Sequence, residues 1–125
     1  MSNKFNYLCV AFKASIQGWL RGCRPVVGLD GCFLKGKYSG VCLCVIGTDA
    51  NNGMFPLGIF ICKKENWENW DKFLELLGPE LKKHDLPLTI ISDRQKGLKN
   101  AVRDHFPQCN QRFCFRHMFK NLNRY

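Results

Sequence analysis

The sequence predicts a mixed α/β sheet of five strands with helices on its faces, in the order β-β-β-α-β-α-β-α. Three observations lead there. Apolar runs between Pro25 and Cys62 are joined by short turns, which makes an antiparallel meander of three strands. From Asn66 onward the apolar spacing changes to three- and four-residue steps, the period of an amphipathic helix. Beyond that helix, strand-like and helix-like segments alternate, and a strand-helix-strand crossover requires parallel neighbours. A mixed sheet satisfies both requirements.

The elements follow in order. Phe5 to Trp19 carries apolar positions without clean breaks and reads as a strand or a helix packed on the sheet edge. Pro25 to Leu34 is nearly continuous in apolar character, which places it centrally in a sheet and makes Asp30 conspicuous. Gly36 to Gly40 read as a turn and Val41 to Thr48 as the second strand. Asn51-Asn52-Gly53 reads as a tight connection demanding positive φ, and Met54 to Cys62 return as the third strand. Asn66 is placed to cap a helix whose apolar face is Trp67, Trp70, Phe73, Leu74, Leu77 and Leu81, with Gly78-Pro79 expected to kink or break it near Leu77. Leu88 to Ser92 is a short strand, and Leu98, Ala101, Val102 and Phe106 share one face of a second helix that Pro107 ends. Gln111 to Phe115 read as the fifth strand, and His117 opens a further helix.

Size and composition fit one packed domain: 125 residues, 46% hydrophobic and 23% charged. The division expected is a flanking segment, 1–24, packed on a core, 25–125. The longest apolar run, Val41 to Ile46, is far short of a membrane span, and no apolar stretch follows a basic start as in a secretory signal. Neither integral membrane function nor export is expected. The eight Cys lie mostly inside strand-like runs and read as buried reduced thiols rather than a disulfide framework. The formal charge of +9 points to a polyanionic partner. It is concentrated at the ends: residues 1–29 hold 4 basic and 0 acidic residues, 30–83 hold 7 and 7, and 84–125 hold 8 and 3.

Two aspartates and a Cys-x-x-His carry the chemistry. Asp30 lies in the first strand of the meander and Asp93 at the end of the fourth, and these strands can be neighbours in a mixed sheet. Two carboxylates a few ångströms apart repel unless they are protonated or bridged by cations, and paired divalent cations are the usual arrangement for phosphodiester chemistry. Asp30-Gly31 is equally a two-residue hairpin signal, and Ser92-x-x-Gln95 with Asp93 equally fits a helix start. Cys114-x-x-His117 has metal-ligand spacing, with Cys109 or His105 as a further ligand, but a closed zinc site wants four. Arg112, Arg116, Lys120 and Arg124 surround it and fit phosphate contacts better than a coordination shell. Trp67 and Trp70 read as core rather than as base-stacking platforms.

Four segments in order, Asp30-Gly-Cys-Phe-Leu-Lys-Gly36, Gly47-Thr-Asp-Ala-Asn-Asn-Gly-Met-Phe-Pro-Leu57, Ile91-Ser-Asp-Arg-Gln-Lys-Gly-Leu98 and Arg112-Phe-Cys-Phe-Arg-His-Met118, resemble the core of plant Mutator-like element transposases. The resemblance runs from about Phe5 to Tyr125. It implies a ribonuclease H-like fold and a metal-dependent Asp-Asp-Glu site, using Mg²⁺ or Mn²⁺, that cuts and rejoins DNA. Asp30 then matches the first acid, in a strand rather than a turn, and Asp93 the second. Cys114 and His117 match a site-proximal Cys-x-x-His, with zinc not expected there. Lys35, Arg94, Lys96, Arg112, Arg116, Lys120 and Arg124 become candidates for the DNA backbone.

The resemblance further implies nuclear location, DNA as partner, a possible homo-oligomer on DNA and no small-molecule substrate. The family's third acid, a Glu on a helix well beyond the Cys-x-x-His, has no counterpart in these residues. Glu65, Glu68, Glu75 and Glu80 belong to the earlier helical segment and do not match it. The expectation is therefore a core truncated before its third acid, and two functions remain open. One is the catalytic core of a DNA transposase. The other is a transposase-derived, non-catalytic DNA-binding or regulatory module.

Overall fold

The computed structural model describes residues 6–113 apart from 38, 50, 52 and 94. They form β1 (Tyr7–Ala11), α1 (Lys13–Gly22), β2 (Val26–Leu34), β3 (Gly40–Thr48), β4 (Met54–Cys62), α2 (Trp67–Leu81), β5 (Thr89–Ser92), α3 (Lys96–His105) and β6 (Asn110–Phe113). One mixed sheet runs β1-β4-β3-β2-β5-β6. The meander β2, β3, β4 is antiparallel as expected, and β5 pairs parallel with both β2 and β6. The sheet has six strands rather than five because the stretch before Pro25 holds both alternatives at once. Tyr7 to Ala11 pair along β4 from Cys62 to Gly58. Phe12 N–H then bonds the Leu57 carbonyl at 3.0 Å, and the chain turns into α1, which buries Ile16 and Trp19.

Alternation along β3 sends Val41, Leu43, Val45 and Gly47 to a buried face and Cys42, Cys44 and Ile46 to a half-buried one. Every described helix adds its apolar side to the buried face. Trp19 of α1 lies over Gly47, Phe73 of α2 stacks on Phe60 at 5.3 Å, and Leu98, Ala101 and Val102 of α3 join the same core. Helices on both faces were expected; the three described helices share one. None of the described helices is long and apolar enough to cross a membrane.

Local expectations are corrected at several points. The helix α2, capped by the Asn66 side chain accepting from Asn69 N–H at 2.9 Å, passes through Pro79 and ends at Leu81. Proline removes the bond to the carbonyl four residues back, that of Glu75, but both residues sit on the exposed side, where water reaches the carbonyl. Leu77, Gly78 and Leu81 meanwhile stay buried and hold the last turn in place. Trp70 is core, whereas Trp67 is 43% exposed, with its indole N–H 3.4 Å from Asp104.

The connection before β4 does not require positive φ at Gly53. It is organised by the Asp49 carboxylate, which accepts from the N–H groups of Asn51 at 2.9 Å and Gly53 at 2.7 Å. The seven described cysteines are free thiols, and the expectation that they are buried is corrected, since only Cys62 is.

Candidate functional site

The parallel ladder between β2 and β5 ends at the pair Leu29 and Ser92. Asp30 and Asp93 are the next residue on each chain. Leu29 and Ser92 turn to the buried face, so Asp30 turns to the face that no described helix covers. Asp30 stands within a strand and not in a hairpin turn, and one carboxylate oxygen accepts the Gly31 N–H at 2.9 Å. Asp93 leaves the strand: its Oδ1 accepts the Gln95 N–H at 3.0 Å, and its carbonyl accepts the Ser92 hydroxyl at 3.1 Å. The helix start belongs to Gln95, whose side-chain oxygen caps Leu98 N–H at 2.7 Å. Ser92 therefore does not cap the helix, and Asp93 precedes the N-cap instead of lying in the first turn.

Glu65, given no role in the sequence reading, approaches β2 from the helix side. Its Oε2 accepts the indole N–H of buried Trp70 at 2.9 Å. A Cβ on Gly31 would lie 3.0 Å from its other oxygen, so this glycine makes room for the carboxylate. Asp30 faces the opposite side of the strand. Among the described residues no group of three or more His, Cys, Asp or Glu is arranged to hold a metal ion. Two carboxylates placed where the β2–β5 ladder ends offer oxygen donors of the kind that Mg²⁺ prefers.

The uncovered face carries a second feature. Cys44 is the cross-strand partner of Asp30, and Cys32 that of Cys42, so all four share one face of two adjacent strands. The Cys42 and Cys44 sulfurs are 3.8 Å apart. Burial, followed by the neighbouring Cys42, Cys32 and Asp30, pushes the Cys44 thiol up to about 12. It is therefore neutral at physiological pH and adds no charge beside Asp30. Residues 30, 32, 42 and 44 each lie on the i, i+2 pattern of a strand, but only the register reveals that they meet.

The exposed cations Lys35 after β2, Lys96 at the start of α3 and Arg112 in β6 all lie toward the end of the sheet where Asp30 and Asp93 sit. Phe33, also beyond Asp30, is 81% exposed. Arg94, Cys114, Arg116, His117, Lys120 and Arg124 lie outside the described residues. His105 has its Nε2 2.7 Å from Asp71 Oδ1. With Cys109 it lines a cleft beside Leu88, at the opposite end of β5 from Asp93.

Residues 26–121 match the family model described as MULE transposase domain. Over 97 residues the chain is 25% identical to Protein FAR1-RELATED SEQUENCE 6 of Arabidopsis thaliana. That stretch is 78% of this chain and 14% of the relative, so the chain spans a small part of that protein's length.

Proposed function

The chain belongs to the MULE transposase domain family, and from that premise we propose that it forms the ribonuclease H-like core of a metal-dependent DNA transposase, acting on DNA in the nucleus. The observation that carries the reading is the placement of Asp30 and Asp93 one step past Leu29 and Ser92, where the parallel ladder between two adjacent strands ends. The two carboxylates would hold Mg²⁺ or Mn²⁺, which supplies activation of an attacking hydroxyl or water and charge stabilisation of the leaving oxygen at a phosphodiester. The Gly31 and Gln95 N–H groups keep one oxygen of each carboxylate in place. Lys35, Lys96 and Arg112 would hold the DNA backbone toward the same end.

The test is Mn²⁺ binding to the whole chain, read from the loss of the free-ion paramagnetic resonance signal. Asp30→Asn and Asp93→Asn are each expected to weaken it by at least the roughly 10–100-fold that loss of even an outer partner of a metal site costs. Binding unchanged in both variants would overturn the assignment.

The exposed cations favour a second reading, DNA binding without strand cleavage. Under it, the double variant Asp30→Asn/Asp93→Asn binds labelled duplex DNA as the parent does, and no Mn²⁺-dependent nicking accompanies binding by the parent.

A further inference from the structure

We propose that Cys32 and Cys42 form a reversible oxidation site on the uncovered sheet face, closing a cross-strand disulfide beside Asp30 when the chain meets a small-molecule disulfide such as oxidised glutathione. The two residues are directly opposed in the β2–β3 ladder. Directly opposed residues of an antiparallel pair have Cα atoms about 4.5–5.5 Å apart, inside the roughly 4.4–6.8 Å that a disulfide spans. Their side chains share a face, and no helix of the described residues covers it. Cys32 is exposed, so a dissolved oxidant reaches it first, and Cys42 stands half-buried across the ladder as the second thiol.

The chemistry balances with that oxidant alone. The Cys32 thiolate attacks one sulfur of oxidised glutathione, forming a mixed disulfide and releasing one glutathione thiolate. The Cys42 thiolate then attacks the Cys32 sulfur, the bond to glutathione breaks, and a second glutathione thiolate leaves. Two cysteine thiols lose two electrons, one glutathione disulfide gains them, and the two protons end on the glutathione thiols. Cys44 is 3.8 Å from Cys42 but stands opposite Asp30, diagonal to Cys32 rather than directly across from it. Diagonal neighbours of an antiparallel pair have Cα atoms about 7–8 Å apart, beyond the roughly 6.8 Å that a bridge spans. The bridge ties β2 to β3 two pairs beyond Asp30 and Cys44, so oxidation acts on the ladder segment that carries the first carboxylate. The inference does not depend on metal binding or DNA chemistry at Asp30.

The experiment equilibrates the whole chain with oxidised glutathione, blocks remaining thiols by alkylation and digests with trypsin and a protease that cuts before aspartate. Cys32 is then released in the peptide 30–35, and Cys42 with Cys44 in the peptide 38–48, with no other cysteine in either. The expected result is a 30–35/38–48 pair that separates on reduction, is present in Cys44→Ser and is lost in Cys32→Ser and Cys42→Ser. A Cys32 recovered only alkylated or carrying glutathione overturns the proposal. So does a pair that persists in Cys42→Ser, or one formed only between differently isotope-labelled chains. Circular dichroism of each variant confirms that loss of the pair is not loss of the fold.

Discussion

Gly31 decides how close Glu65 can come to β2. The carboxylate accepts from Trp70 at 2.9 Å, and a methyl at position 31 would meet three of its atoms at 3.0–3.2 Å. Gly31→Ala must push Glu65 away by a few tenths of an ångström, at the expense of the hydrogen bond that satisfies a buried indole N–H. The expected loss is about 1–2 kcal/mol, read from urea unfolding midpoints. Unchanged stability would mean that the Glu65 side chain yields freely. Cys44 supplies the pH dependence at this scale. Its folded value, about 12, lies above the ordinary value of 9.0, so the folded state keeps a proton that the unfolded state releases. That contribution to stability is fully present below pH 9 and is lost as pH rises toward 12. Unfolding midpoints at pH 8 and pH 10 should therefore diverge less in Cys44→Ala than in the parent chain.

Asp30 and Asp93 were legible as candidates because an acid inside an apolar strand and an acid at a strand end are visible along the chain. Glu65, Cys32, Cys42 and Cys44 were not. Their significance comes from partners across the sheet, and one sequence does not specify strand register.

Gly97 poses the same question for two helices. In α3 a Gly→Ala change should by propensity gain about 1 kcal/mol. Here the new Cβ would lie 2.7 Å from the Trp67 backbone nitrogen and 3.1 Å from its Cα, at the start of α2. Backbone held by the Asn66 cap cannot swing aside as a side chain can. Gly97→Ala is therefore expected to destabilise by about 1–3 kcal/mol despite the propensity gain, by thermal or urea unfolding. A stabilised variant would show that α2 and α3 are free to slide apart.

Elements with a strong period, such as α2 and α3, were readable to within a few residues, because burial and periodicity coincide there. Pro79 misled because its penalty depends on whether the orphaned carbonyl faces water. The Asp49 turn was not legible because the carboxylate that accepts from Asn51 and Gly53 N–H acts two and four residues along the chain, where no spacing rule signals it. The β1–α1 stretch was ambiguous because five strand residues and ten helix residues are too few for either period to dominate.

At the scale of the whole molecule, the polarity of the sheet sorts the functional groups. The strands β2, β5 and β6 run the same way, and their C-terminal ends bring Asp30 and Asp93 to the end where ligands of open α/β sheets are found. The exposed cations Lys35, Lys96 and Arg112 follow them there, while the His105 cleft lies at the opposite end. If this end holds DNA, its affinity must report counterion release, with log K falling by about 0.9 per phosphate contact for each log unit of salt. Replacing Lys35, Lys96 and Arg112 by Ala lowers the net charge from +9 to +6, three charges of the nine. Anisotropy titrations of labelled duplex DNA from 50 to 300 mM salt, roughly, should show the slope flattening by about 0.9 for each of the three that touches a phosphate. A general charge effect would weaken binding equally when three basic residues at the other end, Lys82, Lys83 and Arg103, are replaced instead. An unchanged slope in the first triple variant would remove DNA from this end of the sheet, whatever the carboxylates bind.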